Sequence, residues 1–164
     1  MKARMCQLKE GDMSLQALIY EPEAGETLTL RGTKVRVLCT EADSVGASTF
    51  EFRAMPGFDT GSHFHSKIEE QFYVIDGEME LRAGDHVILG RPGAFVTVPA
   101  GIAHAFANRS DNPSRMLLVC TPPGHERYFA ELAQILARPG APDADDIAAL
   151  RARFDTTQVS PLST

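Results

Sequence analysis

Residues 57–108 constrain the fold of this chain most strongly, because histidines recur there at strand spacing between closely placed glycines and prolines. His63 and His65 are separated by one residue, and side chains at i and i+2 leave the same face of a strand. Glu70 opens the next strand-like segment, and His104 follows a Pro-Ala-Gly turn and opens another. The pattern predicts that three imidazoles and one carboxylate converge if the strands close on one another.

Imidazole and carboxylate groups are ligands that suit divalent transition metals. The candidate metal ligands are therefore His63, His65, Glu70 and His104, which together would bind one ion. These ligand types serve iron, manganese, nickel, cobalt and zinc alike, so the metal is predicted only as one divalent transition ion from this set.

Two motifs in this stretch carry a family resemblance. The first reads Gly57, five residues, His63-x-His65, four residues, Glu70, six residues, Gly77. The second reads Gly93, five residues, Pro99-x-Gly101, two residues, His104, three residues, Asn108. At every fixed position this pair resembles the double motif of the cupin superfamily. Because about ten positions agree at fixed spacings, the match is far more specific than one short motif.

The resemblance implies an all-β fold, a single-domain cupin double-stranded β-helix or jelly-roll barrel with short C-terminal α-helices. Short alternating segments between turn residues agree with that architecture. The chain is predicted to comprise an N-terminal arm at residues 1–25, a cupin barrel at 26–122 and a helical tail at 123–164. The tail is expected to pack on the outside of the barrel, while the loop at residues 62–69 governs substrate entry.

The tail has helical periodicity followed by an irregular end. An apolar stripe that includes Phe129 predicts a first helix, and Ile147, Leu150 and Phe154 form the stripe of a second. The last ten residues are predicted to be frayed. The start of the tail, residues 123–129, also resembles the Pro-Gly-x-Glu-Arg-x-Phe element of small bacterial cupins related to the quercetin dioxygenases.

The resemblance implies a metal-dependent enzyme, a dioxygenase-type oxidoreductase acting on a small enolisable or phenolic substrate. Glu70 is predicted to be catalytic as well, accepting the substrate proton with a pKa raised by apolar surroundings. Phe52, Phe72 and Phe106 are predicted to line the substrate pocket. The alternatives are a non-oxidative metal-dependent isomerase, cyclase or lyase, and a cupin that binds a small molecule without catalysis.

Other polar residues compete for roles or are predicted to have none. Glu69 could replace Glu70 after a small shift of register, but the spacing favours Glu70. His86 and His125 lie outside the motifs and are predicted to be ordinary surface or core residues. Cys39 and Cys120 are predicted to be packing residues.

The remaining predictions concern compartment and partners. The net charge of −6 leaves no basic surface for nucleic acid or anionic membrane. Three widely spaced cysteines and the lack of an apolar signal core predict a cytoplasmic protein. A homodimer is predicted, because the arm would otherwise expose Leu15, Leu18 and Ile19, and residues 27–31 would form an open sheet edge.

Overall fold

The computed structural model describes residues 17–160, most of which form short antiparallel strands. The strands are β1 Glu26–Leu30, β2 Thr33–Cys39, β3 Ser48–Ala54, β4 His63–Phe64, β5 Glu69–Asp76, β6 Met79–Ala83, β7 His86–Gly90, β8 Phe95–Val98, β9 His104–Ala107, β10 Ser114–Thr121 and β11 Thr157–Gln158. The helices α1 His125–Leu136 and α2 Ala144–Arg153 follow β10. The predicted all-β jelly roll with short C-terminal helices is confirmed.

Strand β3 shows why the sequence folds in this way. Phe50 and Phe52 are buried on one face, whereas Arg53 is exposed on the other. This alternation is the two-residue period of a strand with one face in the core. β3 pairs in antiparallel fashion with β2 on one side and β10 on the other, so it lies inside its sheet.

The strands form two antiparallel sheets that share one core. Their orders are β1-β2-β3-β10-β5-β8 and β11-β4-β9-β6-β7. Large core side chains from the two sheets include Phe50, Phe52, Phe72, Met79, Leu81, Phe106, Met116 and Leu118. Burying each such side chain contributes about 1.5–3 kcal/mol relative to exposure. This core therefore fixes the distance between β5 in one sheet and β4 and β9 in the other.

The C-terminal segment returns to the sheets after the helices. In α1, the Phe129 ring lies 4.9 Å from the ring of Phe50 and 5.4 Å from that of Phe52. Beyond α2, β11 pairs with β4 at the edge of the second sheet. The predicted fraying is therefore wrong for residues 155–160, because their pairing partner lies more than ninety positions away and leaves no local pattern.

The N-terminal arm is described only from residue 17. Residues 17–25 contain no strand, and the side chains of Leu18 and Ile19 are 48% and 79% exposed. The rest of the predicted arm, including Leu15, lies outside the described residues. Neither helix in the described part of the chain is long and apolar enough to span a membrane.

Candidate metal centre

The four predicted ligands come from neighbouring strands of the two sheets. His63 on β4 is the register partner of His104 on β9, and paired residues of adjacent strands share a face. His65 follows β4 directly, and Glu70 lies on β5 of the facing sheet. All four side chains are buried.

The atoms of these side chains that can bind a metal converge. One nitrogen or oxygen from each of the four lies within 4.8 Å of the others. The ring centroid of His63 is 4.4 Å from that of His104 and 5.3 Å from that of His65. Bonds of about 2.0–2.3 Å to one ion would place any two ligand atoms at most about 4.6 Å apart. The cluster therefore has the dimensions of a metal site.

Each imidazole is held through its Nδ1 atom by a backbone carbonyl. The hydrogen bonds run from His63 to Gly61 at 3.0 Å, from His65 to Asp155 at 2.8 Å and from His104 to Ile102 at 3.0 Å. A carbonyl oxygen only accepts, so Nδ1 carries the proton and Nε2 of each neutral ring presents a lone pair. Such bonds fix the tautomer and orientation that coordination through Nε2 requires.

The contacts around Glu70 fit a bound cation. Nε2 of His65 lies 3.3 Å from Oε1 of Glu70, and Nε2 of His104 lies 3.0 Å from Oε2. In the neutral tautomers each of these pairs brings two lone pairs together, which is unfavourable unless a proton or a cation lies between them. Nε2 of His65 is also buried, and no residue between 17 and 160 forms a hydrogen bond with it. One divalent ion would satisfy all four side chains, so the donor set fits a metal.

The local environment moves the pKa values of His63 and Glu70 downward. Burial lowers the pKa of His63 to about 4, so this ring is a neutral ligand at pH 7. Burial acts to raise the pKa of Glu70, but its contacts with the imidazoles of His104 and His65, in the state where those rings also carry a proton on Nε2, hold that pKa well below its ordinary range. A cation bound between the same atoms would act in the same direction. The raised pKa predicted for Glu70 is therefore wrong, and the residue is an ionised carboxylate that is only a weak base.

The structure also separates Glu70 from its neighbour. Glu69 points to the other face of β5 and accepts a hydrogen bond from Nε2 of Gln71 at 3.1 Å. Cys120, opposite Glu70 in the register, places its sulfur 3.6 Å from Oε1. Burial, with the charge of Glu70, raises the pKa of the Cys120 thiol well above its ordinary range. Cys120 is therefore a neutral buried thiol beside the cluster.

A cavity of about 460 Å³ lies against the cluster, and His63, His65 and Glu70 form part of its wall. Phe52 and Phe106 line it as well. Phe72, the third aromatic residue predicted for the pocket, does not line this cavity. Its side chain is buried in the core, where its ring centroid lies 5.2 Å from that of Phe106.

The helical tail forms much of the opposite wall. The residues that line the cavity from the two helices are His125, Tyr128, Phe129, Leu132, Leu136, Ile147 and Arg151. The prediction that the helices pack only on the outside of the barrel is therefore wrong. The apolar stripe of α1 contacts the core on one side and faces the cavity on the other, and helical periodicity does not distinguish these two environments.

His125 is a site residue that the sequence analysis treated as ordinary. Its ring is buried at the start of α1, 5.3 Å from the ring of His65, and lines the cavity. Burial lowers the pKa of His125 to about 4, so the ring is neutral at pH 7. Its Nδ1 is buried without a hydrogen-bond partner in the described part of the chain. Its position beyond β10 gives no spacing relative to the two motifs, which is why it was missed.

Residues after α2 hold the first histidine motif in place. The carbonyl of Asp155 accepts the proton of His65 Nδ1, and Thr156 Oγ1 lies 3.4 Å from the same nitrogen. The Asp155 side chain accepts hydrogen bonds from the Ser66 hydroxyl and, at 2.7 Å, from the Lys67 backbone N–H. The tail therefore orients a predicted metal ligand.

Comparison with known proteins links this site to a family. Residues 50–120 match the family model described as a cupin domain. A curated relative, the polyketide synthase CurC of Streptomyces cyaneus, is 29% identical over 94 residues, which cover 56% of this chain and 61% of that protein. The chain thus spans less than two thirds of the length of this relative.

Solved structures with the same fold include two at or above 25% identity. A sugar phosphate isomerase of the cupin superfamily from Silicibacter pomeroyi is 26% identical with a TM-score of 0.51, covering 56% of this chain and 60% of its own. The polyketide cyclase RemF from Streptomyces resistomycificus is 25% identical with a TM-score of 0.58, covering 64% and 79%. An RmlC-like cupin from Shewanella frigidimarina, 15% identical with a TM-score of 0.59 and covering 68% and 96%, shares the fold.

Proposed function

We propose that this chain, whose residues 50–120 form a cupin domain in a fold of the cupin superfamily, is a metal-dependent enzyme that cyclises an enolisable, polyketide-like substrate. The proposed reaction is a non-oxidative aldol condensation. One observation carries the proposal: a buried cluster of three histidines and Glu70, with preset tautomers, adjoins an aromatic-lined cavity of about 460 Å³.

The roles of the cluster follow from its contacts. A divalent ion held by His63, His65, Glu70 and His104 would supply a Lewis acid able to polarise a carbonyl oxygen of the substrate. His63, His65 and His104 present Nε2 lone pairs because their Nδ1 protons are held by carbonyls. Glu70 contributes the only negative charge of the set, since its pKa is held low.

The cavity wall suits a flat, partly aromatic chain. Phe52, Phe106 and Phe129 offer ring surfaces that exclude water and stack with a conjugated substrate. His125, neutral and unpaired, offers one donor and one acceptor to orient an oxygen of the substrate beside the cluster. The condensation joins an enolisable carbon to a carbonyl carbon and releases one water, so it consumes no oxidant.

Two relatives favour cyclisation over oxygenation. CurC is described as a polyketide synthase and RemF as a polyketide cyclase. The dioxygenase activity predicted from the sequence requires the same ligands and stays a prediction, as does the finer resemblance to quercetin dioxygenases.

The test uses 1-(2-naphthyl)hexane-1,3,5-trione, which forms 5-(2-naphthyl)resorcinol with loss of one water. Protein purified without chelators is analysed for metals and then incubated with the triketone in air and under argon, with product measured by mass spectrometry. We expect equal rates in both atmospheres and a loss of about 100-fold after removal of the metal. Failure to form product in either atmosphere contradicts the proposal.

A matched pair of variants assigns the activity to the cluster. His63→Ala is expected to lose both metal and turnover, whereas His86→Ala, which changes an exposed histidine on β7, is expected to retain both. Product that forms only in air and gains oxygen atoms would favour the dioxygenase prediction instead.

A further inference from the structure

Arg31 and Arg151 are two arginines in the wall of the mainly apolar cavity, and Arg31 is exposed whereas Arg151, on α2, is partly buried. The Nε atom of Arg151 is buried and has no hydrogen-bond partner in the described part of the chain, and the side chain lines the cavity. No carboxylate among residues 17–160 lies within 4.0 Å of its guanidinium, whereas Arg153, two positions on, pairs with Glu131 at 2.5 Å. A guanidinium keeps its charge at any accessible pH, and a buried N–H of such a group without an acceptor is costly unless a ligand satisfies it.

Tyr128 provides a second polar group at the same end of the cavity. It lines the cavity from α1, and its ring centroid lies 5.0 Å from that of His125. Burial raises the pKa of Tyr128, while the charge of the nearby Arg151 and a hydrogen bond between the two side chains act in the opposite direction. The phenol therefore stays protonated at pH 7 and can donate a hydrogen bond beside the guanidinium.

These groups mark a path across the cavity from the metal cluster. Ring-to-ring steps of 5.3 Å from His65 to His125 and 5.0 Å from His125 to Tyr128 lead from the cluster to Tyr128, whose phenol interacts with Arg151. His125 and Tyr128 are three positions apart on α1 and therefore share one face of the helix. Phe129 and Leu132 supply apolar surface along the same wall. A ligand that fills this path has apolar sides, an oxygen at the cluster and a polar group at the far end.

We propose that the cavity binds an aromatic carboxylic acid, with its carboxylate at Arg151 and Tyr128 and its phenol or enol oxygen towards the four-residue cluster. This inference rests on the proposed function and specifies its substrate class. A carboxylate accepts two parallel N–H bonds from a guanidinium and a third bond from a phenol, which satisfies the unpaired Nε. The aromatic wall favours a flat organic acid over an inorganic anion.

The test compares 6-hydroxy-2-naphthoate with its neutral amide, 6-hydroxy-2-naphthamide, which has nearly the same shape. Binding of each to the full chain is measured by titration calorimetry, with metal-loaded and with metal-free protein. We expect the acid to bind about tenfold or more tightly than the amide in both forms, because bonds to charged partners exceed neutral ones. Equal affinities, or no binding of the acid, would overturn the inference.

Variants then locate the preference for the acid. Arg151→Met is expected to abolish it, Arg151→Lys to keep part of it, and Tyr128→Phe to reduce it. Arg153→Met on the same helix is the control and is expected to keep it in full. A preference that survives Arg151→Met would refute the assignment, and circular dichroism of each variant excludes loss of fold as the cause.

The two proposals fail in different ways. If the protein prefers the acid to the amide but its metal-loaded form does not cyclise the triketone, the anion site is supported and the proposed function is contradicted. Cyclisation by a protein that binds acid and amide equally would support the proposed function and contradict the site at Arg151.

Discussion

Asp155 tests the idea that the tail orients the metal cluster. The residue has a left-handed backbone, with φ of 51°, and its carbonyl accepts the Nδ1 proton of His65 at 2.8 Å. Its carboxylate accepts hydrogen bonds from Ser66 and Lys67, the two residues that follow that histidine in the loop after β4. We predict that Asp155→Ala weakens metal binding although Asp155 itself is not a ligand.

The magnitude follows from what the substitution removes. Two hydrogen bonds contribute about 0.5–1.5 kcal/mol each, and the lower figure applies because both partners are exposed. Alanine in a left-handed backbone costs about 1 kcal/mol more. The total of about 2 kcal/mol favours release of the segment around Asp155 from His65. Because about 1.4 kcal/mol corresponds to a tenfold change in an equilibrium constant, the affinity for the metal falls by about 30-fold. Loss of an orienting contact commonly weakens metal binding by about 10–100-fold.

The assay is calorimetric titration of metal-free protein with Zn²⁺, accompanied by thermal unfolding. Asp155→Asn keeps an acceptor for the Lys67 N–H and is expected to bind zinc nearly as tightly as the native chain. Asp155→Gly loses the carboxylate but tolerates the left-handed backbone, so it should lie between the alanine and asparagine variants. If all three variants bound zinc with the native affinity, the tail would not orient His65 and the reasoning would be wrong.

Three further predictions concern the metal, the pH dependence and the oligomeric state. His104→Ala should lower bound metal, measured by elemental analysis, together with the melting temperature, because a metal that binds only the folded state stabilises it; native metal content would place the ion elsewhere. Burial acts to raise the pKa of Glu126, but hydrogen bonds from Ser48 and nearby backbone N–H groups lower it. Its stabilisation is therefore present above the unfolded-state pKa of about 4.3 and lost as pH falls through the folded-state value, so Glu126→Gln should flatten the fall in unfolding free energy on acidification. The predicted homodimer should sediment as a dimer at micromolar concentration, and Ile19→Glu should give monomers; a native monomer would contradict it.

The cluster could be predicted from the sequence because its geometry is encoded locally. His63 and His65 share a face by strand periodicity, and Glu70 begins the next strand, so only the closure of the two sheets is a long-range requirement. The register of β4 with β9 then brings His104 opposite His63. The pKa of Glu70 could not be predicted in this way, because its direction depends on which atoms of the facing imidazoles approach the carboxylate.

The contribution of the tail was missed because it depends on contacts between distant parts of the chain. Asp155 lies ninety positions from His65, and no pattern near either residue indicates their hydrogen bond. For α1, the apolar stripe predicts that one face is buried, but Phe129 is buried against both Phe50 and the cavity. An apolar stripe at helical spacing predicts that one face of the helix is shielded from water. It does not predict whether protein or ligand covers that face.

The region that matches the cupin family model ends before the two helices that line the cavity. The family match spans residues 50–120, which include every predicted metal ligand but neither His125 nor Arg151. The part of the cavity that would select a substrate therefore lies on α1 and α2, outside the matched region. Relatives that share only the matched region are expected to retain the metal cluster while accepting substrates with different polar ends. For this chain, exchange of residues 125–153 between relatives, which leaves Asp155 in place, should change which acid is bound more than it changes metal binding.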